Sequence, residues 1–427
     1  MSISYKYEPI CSGADYTEII DERFKTNYIN ISLIDRMDKN TASANSVIPL
    51  ILKDTNEKYP SMTSLSRKLS SLYDASILSD VSKIGDLQSV SLVGWTIADK
   101  YTINGENISS EVINILLDCL TKPNLENGCF PEEYFRLKKN EVIDEIRTVV
   151  NNKRRYASLR TMELTYAGEP AGINVDGTQE TAEKLTSEDV YKRYKELLKT
   201  AYIKVVFSGH DISEENKQKL FDRIRSLERG NIIKTDISAS PLKPTPEYCT
   251  EQMEVTQAVM SMTFKPQRQD IPVFAMKLLS AVYGGTPFSM LFDNVRERLS
   301  LCYYCSSWFA PVKNVMVVNS GVEFDNITAA QKEINAQLEH LCSGDIPEKI
   351  VDDTKRYVKN ALKSTFDRPA ALANYFMKQQ IIGTDLTPEK EAQAIDAVTA
   401  EEIIEAAKDF RLDTVYVLTG KDNDTNE

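Results

Sequence analysis

The chain has 427 residues, of which 42% are hydrophobic and 27% charged, and its net charge is −12. This length exceeds one ordinary domain, so we expect roughly two to four domains. The acidic balance argues against general nucleic-acid binding, because basic residues drive that interaction by releasing counterions. Seven cysteines, an odd number spread over a long chain, do not form the framework of a disulfide-rich fold.

The first residues, MSISYKYEPICSGADY, are polar, and no stretch of the chain reaches about 18 apolar residues. We therefore expect a cytoplasmic protein with reduced thiols and no transmembrane segment. Cys302 and Cys305 form a C-x-x-C pair inside a predicted strand, where the two side chains need not share a face. Buried apolar thiols are the favoured interpretation of this pair over a redox or zinc site.

In chain order, the first half predicts strands and helices in alternation. Residues 24–35 alternate as a strand does, and residues 43–53 predict either a helix kinked at Pro49 or an irregular buried segment. Residues 131–164 carry a charged pattern with an apolar stripe, which predicts one long helix. The other predicted elements of this half are helices at 61–73, 109–120, 186–199 and 213–227 and strands at 90–101 and 202–207.

Residues 230–250 contain one glycine and three prolines and show no apolar period, which is typical of a linker. We therefore predict one domain at 1–229 and a second at 251–427. The predicted elements of the second half are strands at 253–264, 301–309, 315–324 and 414–419 and helices at 271–282, 326–342, 347–365 and from 399 onward.

The two halves end alike. TSEDVYKRYKELLKTAYIKVVFSGHD begins at Thr186 and TAEEIIEAAKDFRLDTVYVLTGKD begins at Thr399, 213 residues later. Both patterns indicate a capping box, a helix, a β-branched strand and then Gly followed by Asp. Because this spacing is half the length of the chain, it predicts an internal duplication into two similar α+β halves.

Residues 281–305, AVYGGTPFSMLFDNVRERLSLCYYC, join a glycine break, a predicted helix and a strand rich in aromatic residues. Pro287 suits the first helical turn, and one apolar face follows it at Phe288, Leu291, Phe292 and Val295. Arg296 comes directly after that face, and Tyr303 lies seven residues further on. Arg offers a rigid fork of donors and Tyr a hydroxyl, which suits binding a backbone carbonyl or carboxylate. The alternative is a surface Arg beside a core Tyr.

This stretch resembles the C-terminal signature of the pitrilysin, insulinase and mitochondrial processing peptidase family. There, GG-x-x-S-x-LF-x-x-VRE leads to an Arg and a Tyr seven residues apart that bind substrate, and the match falls on Arg296 and Tyr303. The resemblance implies two homologous duplicated α+β domains, each a mostly antiparallel sheet covered by helices, joined by the exposed linker at 230–250. It is specific at 284–305 and looser elsewhere.

Peptidases of this family bind zinc through H-x-x-E-H on a helix, and the Glu polarises the attacking water. The segment that follows this motif resembles residues 50–55, LILKDT, so the motif itself falls on Asn45, Ile48 and Pro49. None of the three chemical positions is kept, since Ile cannot act as a base and Pro has no side-chain donor for a metal.

The family's distal zinc ligand falls on Glu145, which shares a predicted helix face with Glu141; a solvated helix surface is the alternative interpretation of the two carboxylates. The two histidines of the chain, His210 and His340, belong to no ligand-spaced cluster. We therefore expect this chain to bind no metal or other cofactor, and any zinc to lie on a partner subunit.

The resemblance implies a division of roles between two chains. In the dimeric branch of the family, one subunit carries H-x-x-E-H and its partner supplies the Arg and the Tyr. This chain is similar to bacterial insulinase-like subunits that lack the zinc motif and pair with a paralogue that keeps it. Arg296 and Tyr303 would then orient a peptide or partly unfolded polypeptide for the partner's zinc, and the chain alone would be inactive.

One alternative function belongs to another class. The chain also resembles the core subunits of the respiratory cytochrome bc complex, which share the family's fold, and would then be a non-catalytic structural or regulatory peptide-binding protein. A self-sufficient enzyme of another kind has no supporting motif, because the sequence contains neither a P-loop nor a dinucleotide-binding fingerprint.

Overall fold

The computed structural model describes residues 3–420. Within them the chain forms two compact units, and each unit is assembled from three separate segments. Unit 1 comprises residues 3–147, 173–236 and 365–385. Unit 2 comprises residues 148–172, 237–364 and 386–420.

Each unit contains one β-sheet. The strands are β1 Ser4–Cys11, β2 Ala14–Ile20, β3 Thr26–Arg36, β4 Ser76–Ile84, β5 Leu87–Ile97, β6 Tyr202–Gly209, β7 Glu247–Met253, β8 Ala258–Pro266, β9 Cys302–Ala310, β10 Val315–Val322 and β11 Phe410–Gly420.

The α-helices are α1 Ala42–Leu52, α2 Met62–Ser70, α3 Ile108–Thr121, α4 Glu132–Thr148, α5 Lys153–Thr165, α6 Gln179–Glu183, α7 Ser187–Thr200, α8 Glu214–Arg225, α9 Val273–Ser280, α10 Ile327–Ser343, α11 Glu348–Thr365, α12 Pro369–Ile381, α13 Pro388–Ala397 and α14 Ala400–Asp409. Two π-helical segments, Ala281–Gly285 and Leu291–Arg298, follow α9.

The two sheets share one topology. The strand order is β1-β2-β6-β3-β5-β4 in unit 1 and β7-β11-β8-β10-β9 in unit 2. In each sheet one neighbouring pair is parallel, β2 with β6 and β7 with β11, and the other pairs are antiparallel. When β1 is left out and the remaining five strands of each unit are counted in chain order, both sheets have the spatial order first, fifth, second, fourth and third. The predicted fold of two homologous, mostly antiparallel α+β domains is confirmed.

The sequence repeat corresponds to real helix starts. Thr186 and Thr399 are the N-caps of α7 and α14, and their hydroxyls accept the amide protons of Asp189 and Glu402, respectively. In both caps the acidic side chain accepts in return from the amide of the threonine, which completes a capping box. The Lys421–Asp422 pair that closes the second repeat lies outside the described residues.

The sheet of unit 1 has one apolar and one polar face. Ile29, Ile31 and Leu33 of β3 belong to the core that includes α1, α3, α7 and α8. The intervening Asn30 and Ser32 point to the other face, where each contacts the sulfur of Met377 in α12. This alternation follows from the two-residue period of a strand.

The sheet of unit 2 is also covered on both faces. Met260, Met262 and Phe264 of β8 pack in the core with α9, α10 and α14. On the other face, Val259 of β8 packs with Ala157 of α5 and with β11. Both faces of this sheet are therefore buried, and the face that packs against α5 also buries the polar residues Ser261, Thr263 and Lys265 of β8.

The prediction of one long helix over 131–164 is wrong. The segment divides into α4 and α5, because Asn152 leaves the helical conformation at φ −94° and ψ 88° and caps α5 by accepting the amide proton of Arg155. Helix α4 belongs to unit 1 and α5 to unit 2, whereas α12, from the second half of the chain, belongs to unit 1. Unit 1 thus contains α12 from the second half of the chain, and unit 2 contains α5 from the first half. The predicted domains at 1–229 and 251–427 do not include this exchange of helices.

The predicted linker at 230–250 contains one of the points where the chain passes from unit 1 to unit 2, between Asp236 and Ile237. On the unit 2 side, the ammonium of Lys243 pairs with Glu247 at 2.6 Å and approaches Asp413 to 3.8 Å, so ion pairs hold this segment to its sheet. No helix in the described part of the chain is long and apolar enough to cross a membrane.

Candidate functional site

The residues at the zinc-motif positions lie on α1. Asn45, Ile48 and Pro49 are all buried there, so the segment is a helix rather than the irregular alternative. Pro49 lies in the helix interior and lacks the amide that would bond the carbonyl of Asn45 one turn earlier. The helix is nevertheless retained because its apolar residues pack into the core of unit 1.

Asn45 takes part in a buried polar network. Its side-chain amide donates to the oxygen of Gln88 at 2.7 Å, and its own oxygen accepts from Nε of Arg193 at 2.9 Å. The guanidinium of Arg193 also forms an ion pair with Asp35, and Gln88 donates to the carbonyl of Val175 at 2.7 Å. Both ends of the Asn45 amide are therefore engaged, and strands β3 and β5 and helix α7 all contribute to the network.

This network does not suit a zinc ion. The side chains of Arg193 and Asp35 are only 9% and 10% exposed, so the guanidinium charge is held in a poorly solvated region. Burial raises the pKa of the Asp35 carboxyl, and the guanidinium beside it acts in the opposite direction. A fixed cation bonded to Asn45 repels a divalent metal, and Ile48 and Pro49 supply no ligand atom.

The fourth zinc-motif position, Glu145, lies on α4 with its side chain exposed. His210 is buried, with Nδ1 3.0 Å from the carbonyl oxygen of Glu22, whereas His340 is exposed beside Asp345. Within residues 3–420, no group of three or more His, Cys, Asp or Glu side chains could hold a metal ion.

The Arg and Tyr of the C-terminal signature lie on consecutive elements of unit 2. Arg296 lies in the π-helical segment Leu291–Arg298, and its guanidinium lies over the ring of Phe292, 4.7 Å from the ring centre. Its side chain is 41% exposed and makes a loose ion pair with Glu297 at 3.4 Å. Tyr303, at the start of β9, is 56% exposed. It is therefore not the core tyrosine of the alternative interpretation.

A β-bulge produces this exposure. Gly321 of β10 pairs with Tyr304 and Val322 pairs with Cys302, so Tyr303 is an extra residue in β9, the edge strand of the sheet. Gly321 permits the pairing, because a Cβ there would lie 2.4 Å from the ring of Tyr304. The bulge also turns Cys302 and Cys305 to the same face, and both thiols are buried in the core of unit 2.

The hydroxyl of Tyr303 donates a hydrogen bond to Glu323, the residue directly after β10. This bond and the negative charge of Glu323 raise the pKa of Tyr303, so the phenol keeps its proton at neutral pH. The signature thus presents two exposed donor groups, a guanidinium and a phenol. The role of both residues in substrate binding stays a prediction. Sequence reasoning missed Arg193, Asp35 and Gln88, which are far apart in the chain and carry no motif.

The fold and these two sites define a class of protein. Residues 184–358 match the family described as the peptidase M16 inactive domain. The fold is shared with a peptidase M16 inactive domain from Pseudomonas fluorescens, which is 14% identical, with a TM-score of 0.78 and coverage of 98% of each chain. The chain is thus similar to M16 peptidases in this segment and in its fold, and the predicted resemblance to the insulinase family is confirmed.

Two more specific matches lie closer in sequence. The probable inactive metalloprotease YmfF of Bacillus subtilis (strain 168) is 25% identical over 403 residues, which cover 93% of this chain and 94% of that protein. The crystal structure of a conserved protein from Enterococcus faecalis V583 is 25% identical, with a TM-score of 0.89, and the match covers 99% of this chain and 100% of that one. The chain is therefore similar over nearly its whole length to a protein described as a probable inactive metalloprotease.

Proposed function

We propose that this chain is the non-zinc-binding subunit of a heterodimeric M16-type peptidase, and that it binds peptide substrate for a zinc-bearing paralogue. One contrast carries the proposal. A buried network around Arg193 takes the place of the zinc ligands on α1, whereas Arg296 and Tyr303 remain exposed. The chain has lost the residues for metal chemistry and retained those for binding.

The two exposed donors suit a peptide backbone. The guanidinium of Arg296 makes a loose ion pair with Glu297 and lies over the Phe292 ring, and neither contact prevents it from donating hydrogen bonds to a substrate carbonyl. The phenol of Tyr303 can exchange its hydrogen bond from Glu323 to the substrate. Together they would orient an extended peptide and polarise a carbonyl. Both effects would raise the rate of cleavage as well as the affinity for the peptide. The zinc on the partner would activate the attacking water.

The test is co-expression of this chain with a zinc-motif paralogue from the same genome, followed by a peptide-cleavage assay. Arg296→Ala should lower kcat/KM of the pair by about 10²- to 10³-fold, and Tyr303→Phe should lower it by about tenfold or more. Arg298→Ala, at an exposed arginine in the same π-helical segment, is the matched control and should leave the rate within about twofold.

Two results would contradict the proposal. Cleavage that survives both the Arg296 and the Tyr303 changes would remove the assigned binding role. A pair that binds peptides through this chain but never cleaves them would identify it instead as a non-catalytic structural or regulatory protein, like the core subunits of the cytochrome bc complex.

A further inference from the structure

Unit 2 contains a cavity of about 560 Å³ whose lining residues take no part in the sites described above. It lies where helix α10 meets the end of α14, the start of β11 and the strand β8. Asn335, Leu338, Glu339 and Cys342 line it from α10, because their spacing places them on one face of the helix. The volume is within the range of pockets that bind small ligands.

The strands supply most of the apolar lining. Leu412 of β11 is paired with Phe264 of β8, and Phe410 lies two residues earlier on the same face of β11. Phe264 and Phe410 are buried, whereas Leu412, like Cys342 of α10, is only half-buried although both pack against the core of unit 2. The cavity therefore leaves apolar surface accessible to a ligand.

Arg411 supplies a cation whose donors are only partly used. Its Nη1 donates to the carbonyl oxygens of Lys408 at 2.6 Å and of Phe410 at 2.8 Å, at the end of α14. Within residues 3–420 no carboxylate pairs with its guanidinium, so Nε and Nη2 keep their donors. The other lining cation, Lys408, is already paired with Glu405 at 2.7 Å. Arg411 is therefore the group best suited to bind an anion.

The guanidinium of Arg411 lies close to the thiol of Cys342. Burial raises the pKa of that thiol, and among the neighbouring charges that of Arg411 acts on it most strongly, ahead of those of Glu339 and Lys408. Because the effect of a charge falls with distance, the guanidinium is near the thiol and thus at the cavity that the thiol lines. The carboxylate of Glu339 is also near and should oppose an anion there.

The lining suits an alkyl chain better than a peptide. Its uncharged polar side chains are the amide of Asn335 and the thiol of Cys342, and a thiol forms only weak hydrogen bonds. Each amide of a bound peptide would lose hydrogen bonds to water with few side chains to replace them. An alkyl chain has no such groups and gains free energy when it covers apolar surface.

We propose that this cavity binds a medium-chain carboxylic acid, with its carboxylate on the guanidinium of Arg411 and its alkyl chain against Cys342 and Leu412. A guanidinium matches a carboxylate through two parallel hydrogen bonds, for which Nε and Nη2 are available. The inference does not depend on the proposed pairing with a zinc peptidase, because the cavity belongs to unit 2 and contains neither Arg296 nor Tyr303.

The test is calorimetric titration of the full chain with octanoate, octanol, acetate and N-acetyl-dialanine. Octanol keeps the alkyl chain without the carboxylate, acetate keeps the carboxylate without the chain, and N-acetyl-dialanine carries a carboxylate on a short peptide. We expect octanoate to bind, and each of the other three to bind at least tenfold more weakly. Octanol binding as tight as that of octanoate would exclude a role for Arg411, and equally tight binding of N-acetyl-dialanine would assign the cavity to peptide carboxyl termini instead.

Two variants with opposite expected effects localise the binding. Arg411→Gln should weaken octanoate binding at least tenfold, because the guanidinium is lost. Glu339→Gln should strengthen it about two- to fivefold, because the charge that is removed repels the carboxylate. Both residues are exposed, and Lys332→Gln, at an exposed lysine of α10 outside the cavity, is the control that should leave the affinity within about twofold. The proposal is overturned if octanoate does not bind, if Arg411→Gln leaves its affinity unchanged, or if Glu339→Gln fails to strengthen it.

Discussion

Replacement of Arg193 by Met tests whether the network on α1 acts as one energetic unit. Met keeps the apolar stem of the side chain but removes the guanidinium, which bonds both Asn45 and Asp35. The Asp35 carboxylate then stays buried without its counter-ion. Removal of one partner of a buried ion pair costs about 3–5 kcal/mol, so we expect a loss of that size in the free energy of unfolding of unit 1.

The two tryptophans of the chain allow this loss to be assigned to one unit. Trp95 lies in β5 of unit 1, and Trp308 lies in β9 of unit 2. In a Trp308→Phe background, fluorescence during urea unfolding therefore reports on unit 1. At a slope of about 2 kcal/mol per molar urea, the predicted loss lowers the midpoint by about 1.5–2.5 M.

Arg147→Met provides the matched control in the same unit. Arg147 pairs with Glu183 at 2.8 Å, but the two side chains are 51% and 47% exposed, and such pairs contribute at most about 1 kcal/mol. Its midpoint should move by less than about 0.5 M. Equal shifts for the two variants would refute the view that a buried cation holds this site together.

Two further predictions concern other parts of the chain. Gly284→Ala should destabilise unit 2 by about 1–3 kcal/mol, because the added Cβ would lie 2.7 Å from the backbone nitrogen of Ser307. The control Gly285→Ala should cost much less, because the nearest atom to its added Cβ is 3.4 Å away. Urea unfolding followed by Trp308 fluorescence in a Trp95→Phe background measures both losses, and equal losses would show that the contact of Gly284 with Ser307 is not tight. The backbone amide of Asn104 holds the pKa of Glu106 down to about 2. Because this folded pKa lies below the unfolded value of about 4.3, the stabilisation from Glu106 is present above pH 4 and is lost as the pH falls towards 2. Glu106→Gln should flatten thermal stability over that range, and an NMR titration of Glu106 near its ordinary value would disprove the assignment.

The duplicated fold could be predicted because its signals are local. Thr186 and Thr399 each begin a capping box, and each is followed at once by an amphipathic helix and a strand of β-branched residues. The Arg296 and Tyr303 signature could be located for the same reason, since its residues are close in the chain.

The features that escaped prediction depend on contacts distant in sequence or on single-residue irregularities. Arg193 lies 148 residues after Asn45, in a helix whose charged pattern resembles an exposed surface. The break at Asn152, which separates α4 from α5, and the extra residue Tyr303 in β9 each change the structure through one position. The spacing of apolar residues does not indicate such changes. The exchange of helices between the units and the common face of Cys302 and Cys305 could therefore not be predicted from the sequence.

The most direct test of the account is the zinc content of the two chains, measured by mass spectrometry after they are purified separately and as a pair. We predict that this chain alone carries essentially no zinc and cleaves no peptide, whereas the pair carries about one zinc, which stays with the paralogue when the subunits are separated. Stoichiometric zinc retained by this chain, with chelator-sensitive peptide cleavage in the absence of any partner, would contradict the account.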